Sequence, residues 1–262
     1  MPGRLVRENI EGVRESIMEE QKQRVAVLIG ARSAVAGALA ARLAREGWTL
    51  ALGSREPLPV EGSSLAASVD ATDESSVNQF TAQVVERFGR IDAVAVCVGS
   101  LLLKAAHRTT TAEWDAVLAT NLTAPFLVLR ATLPHLIKQG GSVVFVSSAA
   151  ARRGLANHEA IAAAKAGLIG LTRSAAATYA GKKVRVNCVA PGLTESAMTQ
   201  HLFDHEASRN ASLAMHPLGR LGKPDDIASA MAWFLDPQQD WVTGQVLGVD
   251  GGLGDLGGRP GR

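Results

Sequence analysis

The stretch GLANHEAIAAAKAGLIGLTRSAA, residues 154–176, places one amine on an apolar helical pattern. An amine desolvated in this way can bind hydroxyls or move a proton, because burial lowers a lysine's pKa. That lysine is Lys165. One helical turn earlier, where a proton-transferring group would share its face, stands Ile161, which neither donates nor accepts. His158 lies three residues before Ile161 and seven before Lys165, on the same face, and imidazole is the side chain that exchanges protons near neutrality. His158 is therefore a candidate substitute acid or base. The competing reading makes Asn157 the N-cap, with His158 and Glu159 in the first turn, where Glu159 only complements the helix dipole.

A second cluster lies in VLIGARSAVAGALAARLAREG. A glycine-rich turn between a strand and a helix lets the backbone approach a pyrophosphate, which rests on the helix N-terminus. Gly30 keeps the tight turn, with Arg32 and Ser33 as further cofactor contacts. Ala34 and Ala36 hold the other positions where glycine is expected, and their methyls should make the phosphate site shallower. In LALGSREP the second strand ends on Ser54 and Arg55, where an acid would bind a ribose 2′-hydroxyl and an arginine accepts a 2′-phosphate. Arg32 and Arg55 thus favour NADP over NAD. Asp70, in SVDATD, is a helix-capping residue and a candidate adenine contact. His201 and His205 have the four-residue spacing of metal ligands on a helix, but with no second ligand pair they read as a solvated face. Cys97 has only apolar neighbours and reads as buried rather than nucleophilic.

These residues need a scaffold, and apolar runs alternate with helical patterns along the chain. Strands are expected near residues 24–30, 48–53, 65–69, 91–96, 142–147, 184–188 and 245–249. Helices are expected at 34–45, closed by Gly47, at 74–87, closed by Gly89, and at 113–138, interrupted by Pro125 and Pro134. Near-continuous Val, Ile, Leu and Ala strands with helical crossovers predict an α/β fold, a single Rossmann-like doubly wound domain with a parallel sheet covered on both faces. A chain of 262 residues, 47% hydrophobic, suits one such domain. Residues 1–23 read as an amphipathic helical extension, with Ile10, Val13 and Ile17 on one face. Residues 24–252 form the domain, and 253–262 a flexible glycine-rich tail. A net charge of +2, from 27 basic and 25 acidic residues interspersed along the chain, offers no stripe for nucleic acid. No apolar run is expected to span a membrane. Two cysteines in apolar runs suit the cytoplasm.

Six blocks in order resemble the short-chain dehydrogenase/reductase family from Arg24 to Gly252: RVAVLIGARSAVAGALAARLAREG, NLTAPFLVLRATLP, GGSVVFVSSAAA, AAAKAGLIGLTRSAAA, KVRVNCVAPGLTESAMT and PLGRLGKPDDIASAMAWFLDP. The resemblance implies a seven-stranded sheet, a nicotinamide cofactor, a small-molecule substrate and a homo-oligomer, tetramer or dimer. It makes Asn121 the anchor of a proton-relay water, Ser148 the group that polarises the substrate carbonyl and Lys165 the ribose-binding lysine. Pro191 and Gly192 are expected to pack on the nicotinamide, and Ser196 stands where threonine is common. The family's tyrosine falls at Ile161, and its Asn-Asn-Ala-Gly after the fourth strand reads Val96-Cys97-Val98-Gly99. Two readings follow. One is an NADP(H)-dependent oxidoreductase on a small carbonyl or hydroxyl compound with an atypical proton donor. The other is a non-redox pseudoenzyme, ligand-binding protein, isomerase or lyase on the same fold.

Overall fold

β1, Val25–Ile29, reads VAVLI and is buried at every position. Its side chains alternate between two cores: Val25, Val27 and Ile29 face one, and Ala26 and Leu28 the other. β4, Ala93–Val96, and β5, Gly141–Val146, divide in the same way, so both faces of the sheet must be covered. The computed structural model describes residues 23–56, 58–59 and 64–256. The expected extension at 1–23 lies outside them apart from Gln23.

All seven expected strands are present. With β2 (Thr49–Ser54), β3 (Leu65–Ser68), β6 (Val184–Pro191) and β7 (Val246–Val249) they form one parallel sheet in the order β3-β2-β1-β4-β5-β6-β7. α1, Ala34–Arg45, and α7, Pro224–Leu235, cover one face through Leu39, Leu43, Ile227 and Met231. α2 (Glu74–Phe88), α3 (Thr111–Gln139) and α4 (Glu159–Tyr179) cover the other through residues such as Phe80, Leu136 and Leu168. Strand order reverses between β1 and β4, and a crevice opens there at the carboxyl ends of the strands. β6 continues three residues beyond its expected end, to Pro191.

Four expectations need correction. Pro125 and Pro134 do not interrupt α3. A π-helical turn at Ala119–Thr123 already breaks the regular hydrogen-bond ladder just before Pro125. Pro134 sits within the helix, and its cost of about 3 kcal/mol is outweighed by burial of Leu127, Val128, Leu129, Leu133 and Leu136, each contributing roughly 1.5–3 kcal/mol. α3 is also long and apolar enough by composition to cross a membrane, against the expectation, yet about half of its most apolar window is buried in the protein. The tail does not loosen at 253: Leu253 is buried and Asp255 pairs with Arg152. Finally, Asn157 is not the N-cap. It adopts a left-handed conformation (φ 62°), which asparagine tolerates, and His158 takes the cap position before Glu159.

Candidate active site

The first turn is tied to the second strand. Gly30 and Ala31 donate their N–H groups to the Gly53 carbonyl at 2.8 and 3.1 Å. Gly30 has φ +82°, and a Cβ there would lie 2.7 Å from the Cys97 carbonyl carbon, so the crossing of β1 and β4 admits only glycine. Ser33 caps α1, its hydroxyl accepting from the Ala36 N–H at 3.2 Å. The two alanines differ. Ala36 is wholly buried helix packing, whereas Ala34 lines the cleft.

A cavity of about 760 Å³ contains Gly30, Arg32, Ser54, Arg55 and Asp70 in its wall. Arg32 also meets Glu56 at 3.5 Å, but both side chains are mostly exposed and the pair is weak. Asp70 Oδ1 accepts from the Thr72 hydroxyl and N–H at 2.7 and 2.9 Å, and these bonds, the hydroxyl's first, lower its pKa. This cavity shares Arg32, Ser33 and residues 97–100 with a second one of about 580 Å³. Together they form one cleft running from Arg55 to Lys165.

Ser148, His158, Ile161, Lys165, Pro191 and Gly192 all line the second cavity. Ser148 follows β5, and its Oγ accepts from the Ala150 N–H at 3.1 Å, leaving its O–H to donate. Lys165 is 6% exposed, and its Nζ donates to the Val146 carbonyl at 2.7 Å. Burial pushes this ammonium down to about 8. α4 is held to β5 by Ser147, whose hydroxyl donates to the Lys165 carbonyl at 2.8 Å. Ile161 is 4% exposed and packs with Val117, Ala160 and Ala164. His158 Nδ1 lies 2.7 Å from the Ala156 carbonyl, which only accepts, so Nδ1 carries a proton and Nε2 is the position free to exchange one.

Asn121 lies in the π-helical turn, fully buried. Its Nδ2 donates to Ser100 Oγ and the Val117 carbonyl at 2.8 and 3.0 Å, and its Oδ1 accepts from the Ser100 N–H at 3.2 Å. These partners hold the side chain to the loop after β4. Gly99 in that loop faces the site, where a Cβ would be in ordinary contact with Asn121 Oδ1 at 3.4 Å and Lys165 Nζ at 3.8 Å. Cys97 lines both cavities, and burial pushes its thiol up to about 12, which removes it as a nucleophile.

Sequence reading missed His216. It is 1% exposed, donates from Nδ1 to the Ser212 carbonyl at 2.6 Å and accepts at Nε2 from the Leu193 N–H at 3.2 Å. It thus ties α6, Glu206–Met215, to the loop after Pro191. A Cβ at Gly192 would lie 2.6 Å from that Nε2, which explains this glycine. Ser196 Oγ shares a 2.9 Å hydrogen bond with Thr199 Oγ1 in the same loop. His201 and His205 lose their shared face because α5, Gln200–Asp204, ends between them. Among the described residues no group of three or more His, Cys, Asp or Glu is placed to hold a metal.

The chain matches the family model described as enoyl-(acyl carrier protein) reductase over residues 30–254. It is 36% identical over 241 residues to the 3-oxoacyl-(acyl-carrier-protein) reductase of Thermotoga maritima, covering 88% of this chain and 97% of that one. The chain belongs to the short-chain dehydrogenase/reductase family of oxidoreductases. It is also 35% identical over 242 residues to the cis-4-hydroxycyclohexanecarboxylate dehydrogenase of Sinomonas cyclohexanicum, covering 88% and 96% of the two chains. Its fold matches the structure of levodione reductase (TM-score 0.81, 31% identity, 87% and 96% coverage) and that of ElxO with NADP bound (TM-score 0.80, 25% identity, 88% and 98%). The chain's single tyrosine is Tyr179, the last residue of α4, eighteen positions and about 27 Å along the helix from Ile161.

Proposed function

We propose that this protein is an NADP(H)-dependent oxidoreductase acting on a small, apolar carbonyl or hydroxyl compound, with Lys165 as its proton donor. The observation that carries this reading is the single cleft joining two arginines at one end to Ser148 and Lys165 at the other. A dinucleotide fits its residues: Gly30, Ser33 and Gly99 would let a chain of phosphates and ribose approach backbone, Arg32 and Arg55 would suit a 2′-phosphate, and Asp70 would be the adenine contact. Pro191, Gly192 and Lys165 would hold the nicotinamide end. When bound, NADPH supplies the hydride.

The protein's own part is to polarise, protonate and exclude water. The Ser148 O–H donates to the substrate oxygen. Lys165, whose pKa near 8 makes it a stronger acid than a free amine, delivers the proton as charge develops on that oxygen. Ile161 and its apolar neighbours shield the centre, which strengthens both interactions. His158 is the second candidate donor, but with Nδ1 held by Ala156 it must first gain a proton on Nε2. The sealed, phenol-free wall at Ile161 also suits a non-redox binding protein, the alternative that cofactor titration separates.

NADPH is expected to bind more tightly than NADH, and Arg55→Glu to lower NADPH affinity at least ten-fold, as loss of a charge-assisted contact worth about 1.5–3 kcal/mol implies. Titration followed by nicotinamide fluorescence measures both. Equal affinities for the two cofactors would remove the arginines from the site. We place the protein in the cytoplasm as a homo-oligomer. Its free cysteines support the cytoplasmic placement, and the family resemblance the oligomer.

A further inference from the structure

The loop that carries Ser148 continues through a 3₁₀ turn, Ala149–Ala151, into two consecutive arginines, and both reach across to the last described residues of the chain. Arg152 Nη2 donates to both carboxylate oxygens of Asp255 at 2.6 Å. Arg153 Nη1 donates to the carbonyls of Leu253 and Leu256, each at 3.0 Å. The segment is closed from within as well. Asp250 Oδ1 accepts from the Gly252 N–H and Oδ2 from the Gly254 N–H, both at 2.9 Å.

Two glycines make room for this clamp. A side chain at Gly248 would collide with Arg152 Nη1, and one at Gly254 would lie 2.7 Å from Asp250 Oδ2. Among the described residues Arg152 Nη1 is buried with no hydrogen-bond partner, and Asp255 is the acid paired with that guanidinium. The clamp presents one large side chain to the active site: Leu253, 3% exposed, lines the same cavity as Ser148, Ile161 and Lys165. Among the described residues no Asp or Glu lines that cavity, and its walls include Leu101, Leu155, Leu202 and Met215. An uncharged aliphatic chain attached to the carbonyl is the chemistry such walls accept.

We propose that residues 250–256 form a fixed wall of the substrate cavity, clamped by Arg152 and Arg153, and that Leu253 sets how long an aliphatic chain the carbonyl substrate carries. This rests on reading the cavity as a carbonyl site. A glycine-rich terminus would not by itself hold a leucine in place, because its backbone samples too many conformations. The Asp255 pair and the carbonyl bonds to Arg153 supply the rigidity on which discrimination by length depends.

The test is the affinity of the NADP-saturated protein for 2-pentanone and 2-octanone, measured by calorimetry, with NADPH affinity and thermal unfolding followed in parallel. Leu253→Ala is expected to shift the ratio of the two affinities toward 2-octanone by about ten-fold or more, since a single methylene in an apolar pocket is worth that much. Leu253→Trp is expected to shift it the other way. Asp255→Asn should bring the ratio toward unity, and Asp255→Glu should preserve it. A ratio unchanged in Leu253→Ala, or no ketone binding by the natural protein, overturns the proposal. NADPH binding that persists in that case leaves the cofactor reading standing, whereas its absence in the natural protein defeats the function instead.

Discussion

Ile161→Tyr is expected to raise NADPH-dependent reduction of an activated ketone such as ethyl pyruvate by at most the roughly 10²–10⁴-fold that a positioned general acid contributes, since Lys165 already supplies part of that contribution. The scaffold for that gain is already present. Position 161 lines the cavity one helical turn from Lys165, and Ser148 borders the same space. A phenol there would gain acidity from the neighbouring ammonium. The larger ring must be accommodated among Val117, Ala160 and Ala164, at an overpacking cost of about 1–3 kcal/mol. Because Ile161 already borders open space, part of the ring can enter the cavity. Steady-state turnover beside NADPH titration checks the outcome. A variant that binds NADPH but stays inert would shift the account to the non-redox alternative, and one that binds none would end the oxidoreductase reading.

Gly30→Ala is expected to have the largest effect on stability. The residue has φ +82°, which costs an L-residue about 1–2 kcal/mol. Its new methyl would also meet the Cys97 carbonyl carbon and oxygen and the Val98 nitrogen at 2.7–2.8 Å, and those are backbone atoms of a central strand's end that cannot rotate away. Overpacking of this kind adds about 1–3 kcal/mol, so the total loss is roughly 2–5 kcal/mol, readable from the denaturant midpoint. The displaced residues 97–99 also line both cavities, so NADPH affinity should fall with stability. A variant as stable as the natural protein would show that β1 and β4 do not approach so closely.

The sheet was readable from sequence because its central strands are largely apolar runs, with β1 (VAVLI) and β4 (AVAV) buried at every position on both faces, a pattern few other structures require. α1 was readable to its ends, since Ser33 caps it and Gly47 follows it. α3 was not, because proline is scored as a breaker, and only its buried face and the π-helical turn explain the continuity. The cluster of Ser148, Lys165, Ile161 and His158 around one cavity followed from helical spacing and family blocks. The remaining features depend on distant partners. Leu253 and Asp255 are fixed by arginines about a hundred residues earlier, and His216 acts through Leu193 and Ser212. The orientation of the Asn121 side chain depends on Ser100, which meets both ends of its amide.

The most direct test of Lys165 as the proton donor is the pH dependence of kcat/KM for ketone reduction in the natural protein, Lys165→Arg and His158→Ala. The donating form is the ammonium, and burial holds its pKa down to about 8. The rate should therefore be level below pH 8 and fall about ten-fold per pH unit above it. His158→Ala should keep that limb, and Lys165→Arg, whose guanidinium stays protonated throughout, should lose both the limb and most of the rate. A limb that survives in Lys165→Arg, or one that disappears in His158→Ala, would contradict the assignment.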